Sequence, residues 1–216
     1  MYRLPVVPKT RRDSFSYRCN GCGRCCHGKQ ISVGPYEVAR LAEALGVSTS
    51  EALATSVDPE TSTLRWTDGG VCVHYDAGRC AVHAGRPLAC RLYPLGWITM
   101  PGGAEMFIPV EPHPESAGVY GEAGDVEGYL QAQGVPPYAR RSVQYEAVAL
   151  RAAGALDDDG ADPGAPPPVS DVDAAVRTDC DARDVPVPES VEDRVDLHLA
   201  LLHRWLDAAG APPATS

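Results

Sequence analysis

Apolar residues recur at helical spacing in two places along the chain. Val38, Leu41 and Leu45 form one stripe between Gly34-Pro35 and Gly46, which predicts a helix with Gly34 as its cap, Pro35 as its first residue and Gly46 as its stop. Val191, Val195, Leu199, Leu202 and Leu206 form a second stripe behind Ser190 and Asp193, which predicts a last helix starting near Ser190. Ser48 with Glu51 reads as a capping box for a short helix. Two more helices are expected at about 124–133 and 137–155. Between Leu64 and His83 the pattern turns β-like. Residues 71–75 and 79–83 flank Asp76-Ala77-Gly78 as a hairpin, and residues 96–100 and 105–108 flank Pro101-Gly102-Gly103 as a second. Pro87 is placed to start one helical turn that carries Cys90 and stops before Pro94.

Composition adds loops to this picture. The 21 glycines and 20 prolines make up about a fifth of the 216 residues. The expected fold is a small, loop-rich α+β class, a metal-stapled cysteine cluster with short hairpins and flanking helices. The expected organisation is a loosely attached basic arm over 1–16, a cysteine-cluster domain over 17–120 that ends in a proline-rich loop, a helical extension over 121–156, an acidic Pro/Gly linker over 157–170 that reads as disordered, and a C-terminal helical segment over 171–216. No run approaches the roughly 18 apolar residues of a membrane span, and the first residues lack the apolar core of an export signal. The protein is therefore expected in the cytoplasm, with no membrane partner.

Charge is unevenly distributed. The net charge is −10, yet residues 1–30 hold seven basic residues against one acid, Asp13. An acidic chain disfavours nucleic acid as a partner, and the basic head reads as a solvated tail. Only Lys9 and Lys29 among the 19 basic residues are lysine, which reads as a compositional habit.

Eight cysteines change the picture most. Cys19, Cys22, Cys25, Cys26, Cys72, Cys80 and Cys90 lie within one third of the chain, and Cys180 stands apart. Disulfides fit poorly. Cys25 and Cys26 are neighbours about 3.8 Å apart at Cα, whereas a disulfide asks for about 4.4–6.8 Å, so each would need its own distant partner. Metal binding fits better, because thiolates are soft ligands for zinc or iron–sulfur centres and two-residue gaps let successive sulfurs converge on one ion. Two tetrahedral zinc ions need about eight ligands, or seven if one thiolate bridges. One cluster on four thiolates and one zinc on three would instead need a further donor, such as His27 or His74. A ferredoxin run would continue with three residues and Cys-Pro, but Cys26 follows Cys25 at once. Arg18, Arg24, Arg79 and Arg91 each adjoin a cysteine, and cations there would lower thiol pKa and offset thiolate charge.

Cys19-x-x-Cys22-Gly23-x-Cys25-Cys26, followed by Gly78-Arg79-Cys80-x-Val82 and Arg86-Pro87-x-x-Cys90-Arg91-x-Tyr93-Pro94, resembles the CxxCxxCC zinc- or iron-chelating family, the YkgJ-type cysteine cluster proteins. The likeness covers about residues 17–96 and implies a cysteine-rich metal-binding domain of undefined biochemical role. Cys72 matches a cysteine that the family usually has before its Gly-Arg-Cys turn, with Val73 where relatives often have proline.

The expected ligands are thus Cys19, Cys22, Cys25, Cys26, Cys72, Cys80 and Cys90, holding about two zinc ions, or iron, or an iron–sulfur cluster. His27, His74 and His83 are lesser candidates. His113 reads as exposed loop, and His198 and His203 as solvent-facing or locally satisfied. Cys180, among acids, reads as a lone structural or surface thiol. Arg86 reads as support for the centre, and Tyr93, Trp97 and Phe107 as satellite core. No phosphate loop, Gly-x-Ser-x-Gly or His-Glu-x-x-His is present. Two function classes follow: a structural metal domain that presents a surface to a protein partner, or a redox or metal-dependent enzyme whose small-molecule substrate no residue identifies.

Overall fold

The structure is a computed structural model that describes residues 7–20, 22–100, 103–111, 115–155 and 165–211. In chain order the elements are β1 (Ser14–Arg18), a 3-10 turn (Arg24–Cys26), α1 (Pro35–Leu45), α2 (Thr49–Ser56), β2 (Val57–Asp58), β3 (Thr63–Leu64), β4 (Tyr75–Asp76), β5 (Arg79–Cys80), a second 3-10 turn (His83–Gly85), α3 (Leu88–Leu92), β6 (Leu95–Thr99), β7 (Glu105–Pro109), β8 (Val119–Asp125), α4 (Val126–Ala132), α5 (Val135–Ala155), α6 (Val172–Ala182) and α7 (Val191–Ala208). The strands form four antiparallel pairs, β1–β8, β2–β3, β4–β5 and β6–β7. The fold is a small α+β arrangement. No helix among the described residues is long and apolar enough to cross a membrane.

Local chemistry accounts for the helices read from the sequence. The Glu37 carboxylate accepts from the Gly34 amide at 3.0 Å and so closes the start of α1, while Gly46, at φ 70°, ends it in a left-handed turn. Ser48 accepts from the Glu51 amide at the head of α2, and Ser190 from the Asp193 amide at the head of α7. α1 then serves two cores. Tyr36 and Ala39 pack into a bundle with α5, α6 and α7, and Val38, Leu41 and Ala42 face a second core with Ala52, Val57, Leu64, Cys72 and Val82. A third core joins Phe15, Leu92, Leu95, Phe107, Val126 and Leu130. Leu45, read as part of the first stripe, is exposed.

Four expectations change. The basic head is not loose over its described part. Lys9 exchanges two backbone hydrogen bonds with Phe107, Arg11 pairs with Glu105 and Glu127, and Phe15 is buried. β8 falls partly in the expected loop, because Val119–Asp125 is exposed throughout and shows no alternation. Its place is fixed by pairing with β1. The first hairpin is shorter than expected, since Val71 and Cys72 bridge to His27 and Trp66 rather than extending β4. The segment after 171 holds an additional helix, α6, capped by Asp171. The expected linker falls mostly on 156–164, outside the described residues, as does His113.

Candidate metal centre

Three local structures bring the cysteines together. The turn carrying Cys25 and Cys26 opens with Gly23 at φ 67°. A Cβ there would lie 2.1 Å from the Tyr75 ring and 2.9 Å from the Gly78 carbonyl, so only glycine lets this turn press on the β4–β5 hairpin. That hairpin reverses through Ala77 and Gly78, both at positive φ, and sets Cys80 opposite Tyr75. The Cys72 amide donates to the Cys26 carbonyl at 2.9 Å and joins the two cysteine segments. Pro87 starts α3, which supplies Cys90.

The result is two cavities with a common wall. Cys25, Cys26, Cys80, Cys90 and Arg86 line both. One is an open chamber of about 260 Å³ that also reaches Cys19, with Tyr17, Tyr93 and Tyr129 in its walls. The other is a cage of about 20 Å³ that adds Cys72 and His74, backed by Ile31, Leu64, Trp66 and Val82. Cys22 lies beside them and accepts from the Ala117 amide at 3.4 Å. None of the eight cysteines is in a disulfide. Among the described residues, no three His, Cys, Asp or Glu side chains are yet arranged to hold a metal ion. The sulfurs are gathered without being drawn to a single point.

The thiols act on one another. Interaction with the protonated Cys26 thiol lowers Cys25 to about 6 and Cys80 to about 7, and Cys26 itself is pushed strongly up. Burial, then the neighbouring Cys25, Cys80 and Cys72, raises Cys90 to about 12. Burial also raises Cys72. Cys22 is lowered: burial opposes this, but the Arg24 and Ala117 amides and the Ser116 hydroxyl outweigh it. A soft cation could take the place of the proton among these three sulfurs.

Of the arginines that adjoin cysteines in sequence, Arg79 lines the chamber and the others are engaged elsewhere or exposed. Arg91 is buried and turns away from Cys90. It donates to the Arg86, Gln133 and Ala84 carbonyls and to the Tyr138 hydroxyl, and lies 4.1 Å over that tyrosine ring. Arg24 pairs with Glu115 at 2.7 Å, while Arg18 and Arg79 are exposed. Two further charges lie nearby: Lys29, which sits 3.8 Å over the Tyr93 ring and attracts Cys25, and Arg86, which attracts Cys25, Cys80 and Cys90. Arg86 is held by the His83 carbonyl at 2.7 Å and Gln133 Oε1 at 2.9 Å. Lys29 had a weak signal: it is one of two lysines in an arginine-rich chain, four residues after Cys25. Among the wall tyrosines, Tyr93 stood in the motif, and Tyr17 and Tyr129 had no signal.

The remaining candidates separate clearly. His27 Nδ1 meets the Gly23 carbonyl at 3.2 Å, and His83 Nδ1 meets Arg86 at 3.2 Å. His74 is buried, and its Nε2 has no hydrogen-bond partner among the described residues. Cys180 is not at the surface. It is 1% exposed on α6, inside the helical bundle and apart from both cavities. His198, expected to be solvent-facing or locally satisfied, is fully buried between Tyr145 and Pro168.

Zinc or iron fits this donor set. A cavity of about 10–15 Å³ is enough for one water, but that water would need two to four polar partners. The cage is of that size and is walled by five thiols, His74, Arg86 and apolar carbons, a donor set that suits a soft ion. Neither a curated protein nor a solved structure matches the chain. Over residues 18–109 it matches the sequence model of the CxxCxxCC family, described as a "putative zinc- or iron-chelating domain".

Proposed function

We propose that the protein binds zinc or iron through Cys19, Cys22, Cys25, Cys26, Cys72, Cys80 and Cys90, as a structural metal domain that presents a surface to a protein partner. The observation that carries this is the common wall of Cys25, Cys26, Cys80 and Cys90 between the cage and the chamber. Cys72 would serve an ion on the cage side, and Cys19 and Cys22 a second ion on the chamber side. Lys29 and Arg86 would offset the residual thiolate charge.

The open chamber favours a second reading. Structural zinc sites are closed, whereas catalytic ones keep an open position. A space of about 260 Å³ reaching five of the cysteines suits a redox or metal-dependent enzyme, with iron or an iron–sulfur cluster as the reactive group. The metal would supply Lewis acidity or electron transfer. The chain would supply the tyrosine walls and the fixed Arg86 guanidinium to orient a small molecule.

Elemental analysis and an optical spectrum on anaerobically purified protein test both. About two zinc equivalents without visible absorbance support the first reading. Brown protein with stoichiometric iron and sulfide supports the second. Less than about half an equivalent of any transition metal contradicts metal binding altogether.

A further inference from the structure

We infer that His74, through Nε2, is a nitrogen ligand of the ion held in the cage, completing the donor set that the cysteines leave one short. The inference rests on the metal-binding reading above and names a residue that the cysteine motif does not include.

Three observations carry it. His74 is about 9% exposed, and its Nε2 lies fully buried with no hydrogen-bond partner among the described residues. Buried polar atoms are nearly always satisfied, and an orphan asks for a missing partner. The side chain lines the cage together with Cys25, Cys26, Cys72, Cys80 and Cys90. Its backbone is held on both sides: the His74 carbonyl accepts from the Ala81 amide at 2.9 Å, and the His74 amide donates to the Cys72 sulfur. The imidazole is therefore carried by the same strand segment as Cys72 and tied to the segment carrying Cys80.

A water in the cage would find Arg86 and His74 as polar groups other than thiols, whereas five cysteines line the same space. The other two histidines near the cysteines are not in the cage lining: His83 lines only the chamber, and His27 lines neither cavity. Counting agrees. Two separate four-coordinate ions need about eight donors, and the motif provides seven sulfurs. His74 as the eighth removes the need for a bridging thiolate. Imidazole beside thiolate is a usual donor set for zinc and is also found on iron–sulfur centres.

The test uses full-length protein with 15N-labelled histidine, loaded with 113Cd in place of the native metal. One histidine ring should show a 113Cd-coupled Nε2. His74→Cys should keep the metal content, lose that coupling and move the cadmium resonance toward an all-sulfur site. His74→Ala should weaken metal binding by at least about 100-fold, the upper range for losing a mere outer partner of a ligand. Coupling should survive in His27→Ala and His83→Ala, which keeps the assignment decidable if His74→Cys does not fold. Fully loaded wild-type protein with no coupled histidine overturns the inference, as does coupling that persists in His74→Cys. Wild-type protein that takes up no cadmium, zinc or iron overturns the metal reading and this one together.

Discussion

The two faces of α1 are covered by different means. On one side, α5, α6 and α7 bury long apolar stripes, with Val176, Val195, Leu202 and Leu206 at most 2% exposed. On the other, α2, strand pairs of two residues and the cysteine segments gather a smaller core in which Cys72 is a member and Cys26 and Cys80 are fringe. The bundle can be held by apolar burial at about 25 cal/mol per Å². The cysteine region has short strands, and its segments are joined by isolated bridges and single backbone hydrogen bonds. A region built this way gains most from a metal, because binding energy at a site absent from the unfolded chain is folding energy.

That contrast can be broken from the bundle side. Leu202→Ala should cost about 2–5 kcal/mol, the usual range for emptying a buried leucine site, while metal content stays at the wild-type level. A melting curve with metal analysis checks both. Loss of metal in this variant would mean that the two regions fold as one unit.

Cys180→Ser sharpens the difference between kinds of cysteine. Cys180 lies in the bundle core, so a hydroxyl in its place should cost about 1–3 kcal/mol if it finds no partner, with metal content unchanged. Cys90→Ser, by contrast, should lower metal content. If both variants lose metal, Cys180 belongs to the centre.

Gly23→Ala acts on the other side. The left-handed backbone costs a non-glycine residue roughly 1–2 kcal/mol, and the new Cβ meets the Tyr75 ring and Gly78 carbonyl. Destabilisation with a measurable loss of metal is expected. A neutral outcome on both would show that the turn does not have to press on the hairpin.

The smallest effect is a pH dependence confined to the bundle. Burial lowers the His198 pKa, against smaller opposing effects from Pro168 and Asp171. Nε2 donates to the Pro168 carbonyl, and Nδ1 faces the Tyr145 hydroxyl. The neutral ring is the folded form, whereas the unfolded ring takes a proton below about pH 6.5. Stability from this group is complete above that value and falls on acidification, by at most about 1.4 kcal/mol per pH unit. Bundle stability followed between pH 7.5 and 5.5 should fall less in His198→Gln than in wild type.

Much of the helical frame was legible because its signals are local. Gly34-Pro35 with Gly46, Ser48 with Glu51, and Ser190 with Asp193 each cap a helix as read. The β6–β7 hairpin and the α3 turn behind Pro87 were equally local. β1, β8 and α6 were not. The first two define each other across about a hundred residues, and α6 hides its small apolar stripe, Val172, Ala175, Val176 and Cys180, among aspartates. The likeness to the CxxCxxCC family showed in the cysteine spacing. Arg86 was read beside its proline as support for the centre, but the division of the cysteines between two cavities, the part of Lys29 and the orphan nitrogen of His74 are tertiary facts that spacing alone does not carry.

The central claim is that metal holds the cysteine region and apolar burial holds the bundle. Amide hydrogen exchange before and after verified metal removal tests it most directly. Protection should collapse across residues 18–109, least where α1 packs on the bundle, and persist in α6 and α7. Unchanged protection across the cysteine segments after the metal is gone would contradict the account.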